Sequence, residues 1–384
     1  MSLLAIMLIL IGVATLILVV DWTFLVLASR RTLQLTDTLA LTAASELIDE
    51  HRLEDSAIPF PTSQADDSLD ANSTIQTPVT GFLALNNAAL ASQFRPLPTE
   101  VTVTPARVVD ASAPATGANF TLTPAVGERF NSLRVEVYRD PLGANPVHLL
   151  MRGFGAPETA KITSSSLATL DSRVVGYRPR INTPSPVAPI AISRTAWEVT
   201  RLGSAPNGNN RREFDFVLQF NDGSGTANAA IVNVDTTAVV LPSVATLQNQ
   251  IIDGLFPGDV DPITEVLGPI SVADPDNLRA EDTSPSLADT NALAAAFQNV
   301  QLSNDPRRVF LLYDTASFPN LNITGFVAAN IIVADTQLAG PLHRLRIRLE
   351  PEAIVHFTAE TSYRDALLNI IPENDYCHKI RLTR

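Results

Sequence analysis

Two Asp-Thr pairs are the residues in this sequence best placed by type to do chemistry. Val234-Asp235-Thr236 and Tyr313-Asp314-Thr315 each close an apolar run, as the carboxylates do in enzymes where two aspartates share one proton. Such a site needs a small residue, normally glycine, after each threonine to let backbone and water approach. Thr237 and Ala316 stand there instead, so turn chemistry at strand ends is the expectation. The histidines are His51, His148, His343, His356 and His378, and no two stand at metal-ligand spacing. His148, beside Leu149-Leu150, is expected as a satisfied core side chain. Cys377 and His378 are adjacent, and neighbours in sequence seldom face each other as nucleophile and base. Gly223-Ser224-Gly225 lacks the lysine and following helix of a phosphate loop. No catalytic residue, metal site or cofactor is expected.

The elements around these residues point elsewhere. The chain has 384 residues, 46% hydrophobic and only 17% charged, with a net charge of −13. That composition excludes wholesale disorder, and the acidic balance argues against nucleic acid as a partner. One cysteine excludes a disulfide framework and a cysteine zinc site. The hydrophobic excess is concentrated at the start, where Leu3–Val20 runs without a charge. At about 1.5 Å per residue it reaches roughly 27 Å, close to a bilayer core. Asp21 and Trp22 then fall at the membrane–water boundary, where an indole is favoured. A transmembrane anchor over residues 1–29 follows, with the lipid bilayer as first partner. The alternative is a signal peptide cut after Ala28, which would release a secreted or surface β-domain acting as a binding module. Against it, no basic residue precedes the run, and the run exceeds a typical signal-peptide core. Arg30 and Arg31 follow the span, but long domains translocate largely regardless of flanking charge.

Helical character continues beyond the anchor. From Arg30 to about Leu53 there is no glycine or proline, which gives a juxtamembrane helix over residues 30–55. Ala40, Ala43, Ala44, Leu47 and Ile48 form an apolar stripe at helical spacing. Two uses are open for it: packing on its own domain, or a seam for a partner helix, with Ala40, Ala43, Ala44 and Leu47 as the candidate interface.

The apolar run, Val20-Asp21, the second apolar patch, Arg31, Leu33-Gln34, Asp37 and the alanine-containing helix resemble the N-terminal segment of TadG-like Flp (tight adherence) pilus-assembly proteins. On that resemblance Asp21, Trp22, Arg31, Gln34 and Asp37 are the membrane-boundary and family-motif residues. Downstream, Asn131–Val137 is similar to the asparagine-led strand of these proteins. Val174-Val175-Gly176-Tyr177-Arg178-Pro179 resembles a turn of a planctomycete-type branch, as does the proline-rich Pro186–Ile192. Val309–Thr315 and Ile323–Val327 resemble its paired C-terminal strands. The resemblance implies a single-pass protein of the bacterial inner membrane with a periplasmic C-terminal domain. It further implies a non-enzymatic structural or assembly role in a tight-adherence pilus system, with other pilus-assembly membrane proteins as partners. Many members carry basic residues before the span, which this sequence lacks, a departure that fits a chain start further upstream. Some also carry a von Willebrand A-type domain with a metal-binding Asp-x-Ser-x-Ser. Asp282-Thr283-Ser284-Pro285-Ser286 has those letters, but the polar stretch before it contains Pro275 and no strand to deliver the loop.

The rest is read from periodicity. Ser56–Pro78 is a polar, proline-containing stretch, placing a linker at residues 56–79, and Gly81–Phe94 has room for a short helix. Strands are expected at Val101–Val103, Leu133–Val137 and Ile162–Asp171, with a continuous, buried strand at Val147–Met151. From Asn182 the chain is rich in proline and asparagine. Further strands follow at Phe214–Phe220, Ala229–Val234, Ala238–Leu241, Val309–Tyr313, Gly325–Val333 and Leu345–Leu349. Helices are expected at Ser243–Leu255 and Ala288–Val300. The fold class is therefore α+β: a transmembrane helix, a juxtamembrane helix and a β-rich ectodomain with room for two lobes, residues 80–180 and 181–384.

Overall fold

A computed structural model describes residues 3–45, 47–48, 81–84, 96–124, 130–139, 146–150, 159–203, 214–220, 227–235, 242–261, 264–270, 276–280, 286–317, 320–339, 342–365 and 368–383. The expected linker at 56–79 and the strand at Ala238–Leu241 lie outside these residues. The chain forms two units. The first comprises Met1–Leu47, Phe60–Leu170 and Ile380–Arg384; the second comprises Ile48–Pro59 and Asp171–Lys379.

The first unit is built on one helix. α1 runs unbroken over Leu3–Ser45, so the anchor and the juxtamembrane segment are a single element. Its threonines do not interrupt it because each hydroxyl donates back to a carbonyl in the preceding turn, as Thr15 does to Ile11 and Thr32 to Ala28, both at 2.8 Å. The sheet comprises β1 (Val101–Val108), β2 (Phe120–Thr121), β3 (Ser132–Arg139) and β6 (Ile162–Asp171), with a small separate pair, β4 (Val147–His148) and β5 (Thr159–Ala160). β3 lies between β1 and β6, antiparallel to both. Across the sheet the order is final strand–β6–β3–β1–β2. β3 shows why alternation is informative here: Leu133, Val135 and Val137 are fully buried, and the intervening Arg134 and Glu136 form an ion pair at 2.5 Å. Under the apolar side lie Leu35, Leu39, Ala40, Ala43 and Ala44 of α1, with Leu83 and Ala168.

The second unit is wound differently. It contains β7 (Val174–Tyr177), β8 (Val187–Ser193), α2 (Arg194–Gly203), β9 (Phe214–Leu218), β10 (Ala229–Asn233), α3 (Val244–Asp253), β11 (Asp276–Ala280), α4 (Leu287–Gln301), β12 (Arg307–Ser317), β13 (Asn320–Ala339), β14 (Leu342–Pro351), β15 (Ile354–Val355), β16 (Ala359–Thr361) and the start of β17 (Cys377–Thr383). Seven strands follow the order β11–β10–β8–β12–β13–β14–β9. β11 also pairs with the start of β13, Leu278 opposite Leu321, which closes β11, β10, β8, β12 and β13 into a ring. Val187, Ala191, Ala230, Val232, Leu278 and Leu311 belong to one core; Ile190, Ile192, Ile231, Phe310 and Leu312 belong to the other, with Trp197 of α2, Ile251 of α3 and Phe297 of α4. Both faces of these strands are buried, so they are apolar runs without alternation.

Several expectations need correction. The proline-rich Pro186–Ile192 is a central strand, β8. Pro189 has no N–H to give, and the β8–β12 ladder shifts register across that position, between Val309–Val187 and Leu311–Ala191. The segment expected as a turn at Val174–Pro179 contains strand β7. Gly176 is required there because a Cβ would stand 2.3 Å from the Leu267 carbonyl oxygen. Val147–Met151 is not a continuous buried strand: β4 is two residues long, and His148 and Leu150 are exposed. Helix α2 had no expectation at all. α3 and α4 match theirs within two residues, with Ser243 and Ser286 as N-caps accepting from Thr246 N and Asp289 N.

Candidate functional site

The residues singled out by the N-terminal motif divide along α1. Leu3–Val20 contains the apolar span, with a mean hydropathy of 3.2 in its most apolar window and none of that window covered by the rest of the protein. The covered positions are Asp21, Ala28, Thr32, Leu35, Thr36, Leu39, Ala40, Ala43 and Ala44. Steps of seven, four and three place them on one face, extending about 36 Å along the helix at 1.5 Å per residue. Asp21 thus both terminates the membrane-length run Leu3–Val20 and is the first residue that the domain covers.

Two carboxylates pin this face. Asp21 is 6% exposed, and its Oδ1 accepts from the backbone N–H of Leu150 at 2.9 Å. Asp37 accepts from the Ser166 hydroxyl on β6. A buried carboxylate without such a donor would cost several kcal/mol, so these bonds select one rotation of the helix. Between them Phe24, Leu25 and Ala28 pack with Val147 and Ile162. Trp22, Arg31 and Gln34 are exposed, so the structure does not bring them together with Asp21 and Asp37. Their positions, one residue or roughly 100° away, turn them off the covered face.

The alanine stripe has its occupant within the same unit. Ala40, Ala43 and Ala44 are fully buried against Leu133, Val135, Val137 and Ala168, with Leu47 partly buried beside them. The candidate helix interface is therefore filled by the chain's own sheet rather than left open for a partner helix. Small side chains let a sheet approach as closely as a helix would, and spacing alone cannot tell the two apart.

An open cleft of about 550 Å³ lies beside this junction, lined by Leu33, Asp37, Phe120, Arg134, Ser166 and Leu382 among others. Within its lining the Ser166 hydroxyl donates to Asp37, and Arg134 pairs with Glu136.

The two Asp-Thr pairs belong to different strands of the second unit's ring. β10 is antiparallel to β8 and β12 is parallel to it, with Ala229 opposite Ile192 and Tyr313 opposite Ser193. Asp235 follows β10 and Asp314 lies within β12, strands that β8 separates on one side of the ring and β11 and β13 separate on the other. Asp314 pairs with Arg194 at 2.7 Å. Cys377 is fully buried, and burial pushes its thiol up to about 12, which leaves no thiolate at neutral pH. His356 is partly buried, bonded to Thr358 Oγ1 at 2.6 Å, and burial holds its imidazole down at about 4. Contrary to the expectation that no strand precedes Asp282–Ser286, β11 does so over Asp276–Ala280; of the stretch itself only Ser286 is described, and it caps α4. Among the described residues no three His, Cys, Asp or Glu side chains are grouped as a metal site.

Sequence reasoning reached Asp21 and Asp37 but not their partners. Leu150 and Ser166 are each 129 residues away in the chain, and no local pattern marks either one. Comparison of the chain with protein-family models, curated proteins and solved structures finds no match.

Proposed function

We propose that the protein is a non-catalytic, membrane-anchored structural component of a tight-adherence (Flp-type) pilus-assembly system, held in a bacterial inner membrane with its β-rich units in the periplasm. The observation that carries the membrane-anchored reading is the division of α1 at Asp21. One side has an uncovered apolar length suited to a bilayer; the other is built into a folded domain. A helix continuous across that boundary transmits position from membrane to domain without a joint. The pilus assignment rests on the N-terminal motif residues and the order of the downstream segments.

Cleavage after Ala28 is disfavoured by the packing. It would remove Asp21, Phe24, Leu25 and Ala28, all of which the first unit uses. A dispensable signal peptide would leave such a core untouched.

The test has two parts. Intact mass on isolated membranes should show a chain that retains Leu3–Ala28, and alkaline phosphatase fused at the C-terminus should be active. A mature chain beginning at Ser29 would return the argument to a secreted binding module. Deleting the gene in its native host should then abolish surface filaments; unaltered filaments with a retained anchor would remove the pilus assignment and leave the anchor standing.

A further inference from the structure

We propose that the β4 end, presenting Leu150 at the level of Asp21 and Trp22, is a second membrane contact that sits in the interfacial layer of the bilayer. The proposal rests on the reading of α1 as a membrane span. Its first support is a fixed height. The Leu150 N–H to Asp21 Oδ1 bond ties this segment to the residue that ends the uncharged apolar run. A bilayer that covers Leu3–Val20 therefore brings its headgroup layer to Leu150.

The second support is a failure of burial. Val147–Leu150 is apolar apart from His148, a composition that ordinarily marks a core strand. Val147 obeys and packs with Ile162 and Ala28. Leu150 does not: it is 62% exposed while its backbone is held in place. Trp22, next to Asp21 on the helix, is 70% exposed. Indoles favour the membrane interface, where an apolar ring and a polar N–H are both accommodated. A leucine and a tryptophan left bare at one level, where an apolar span meets its domain, match lipid acyl–headgroup chemistry. The consequence is orientational. One helix can rotate and tilt in a bilayer, whereas a helix with a second contact off its axis holds the first unit at a set angle.

The test uses the full chain in vesicles of phosphatidylcholine and phosphatidylglycerol, with an environment-sensitive fluorophore on one introduced cysteine. Leu150→Cys is the probe, Leu10→Cys reports the span, and Leu122→Cys is the control. Leu122 follows Thr121, which pairs with Arg107 at the end of the sheet remote from Ile162. Buried Cys377 does not compete for label. The expected result at Leu150 is a blue-shifted emission, quenched more by a nitroxide near the headgroup than by one at the chain terminus, with solvent-like emission at Leu122. Solvent-like emission at Leu150 with quenching at Leu10 overturns the second contact and leaves the span intact. Equal quenching at Leu150 and Leu122 also overturns it, because the dye alone would then explain the signal. Stronger quenching of Leu150 by the deep nitroxide rules out an interfacial position. Solvent-like emission at Leu10 removes the span and the proposal together.

Discussion

The first unit buries one face of its sheet under α1 and Leu83, whereas the second buries central strands on both faces. In the first, the apolar side of β3 meets α1, and its other side carries Arg134 and Glu136. In the second, alternate residues of β8 and β12 feed two separate cores. The difference teaches where each unit keeps its stability. Among the described residues the second has α2, α3 and α4 and a closed ring of strands to share the burial, while the first has placed much of its core on the same helix that carries the apolar span. Anchor and fold are one object there, and a change to the anchor's lower half is a change to the domain.

The sharpest way to break this contrast is to cut the helix at two places. Removing residues 1–20 should leave both units folded, since none of those residues is buried in the domain. Removing residues 1–45 should unfold the first unit, because Leu35 and Leu39 alone represent about 3–6 kcal/mol of burial. The second unit should survive, seen as a Cys377 thiol that stays unreactive in native buffer. Hydrogen exchange resolved by segment would decide; protection of β3 after the longer cut would show that the sheet does not depend on α1.

Trp197→Ala acts on the other side of the comparison. Trp197 is fully buried, edge-on to Phe214 at 5.0 Å and to Tyr376 at 6.0 Å between ring centroids. Its loss should cost the second unit about 3–5 kcal/mol and leave the first unit's exchange unchanged. A denaturant titration that followed both units and found them falling together would mean they are not separately stable.

Ala43→Leu reverses the direction. Extra methylenes under β3 have no space, and overpacking of this kind costs about 1–3 kcal/mol, here confined to the first unit. Unaltered stability of that unit would argue that the stripe is not its core and would reopen the partner-seam reading.

The smallest effect is a pH dependence of the second unit. Unfolded, His356 takes a proton near its ordinary value of 6.5; folded, burial delays this to about 4, with Asp305 raising it and Arg307 lowering it. The unfolded chain therefore binds more protons in that window. Stability is full above about pH 6.5 and declines as pH falls toward 4, by about 1–2 kcal/mol after allowance for partial exposure. His356→Asn should flatten the decline. An equally steep decline in the variant would assign it to carboxylates instead.

Much of this architecture was legible from local pattern. Val101, Leu133 and Ile162 mark strands because one face is wet and the other dry, and period-two alternation records that directly. α3 and α4 carry serine caps and helical spacing. β8 and α2 were hidden, since a central strand with buried faces does not alternate, and Pro189 disguises it further. The strand pairing that closes β11 onto β13 left no local trace.

The sequence by itself determined that a long apolar helix opens the chain, that it ends its uncharged run at Asp21, and that alternating strands follow. It also determined that the stripe of Ala40, Ala43 and Ala44 would be buried against something. Only the tertiary structure decided that the cover is β3, that Asp21 and Asp37 are met by Leu150 and Ser166, and that Asp314 is paired with Arg194. The physical reason is that periodicity along a chain encodes which side of an element is dry. What dries it comes largely from residues about ninety or more positions away, brought there by the folding of the whole unit.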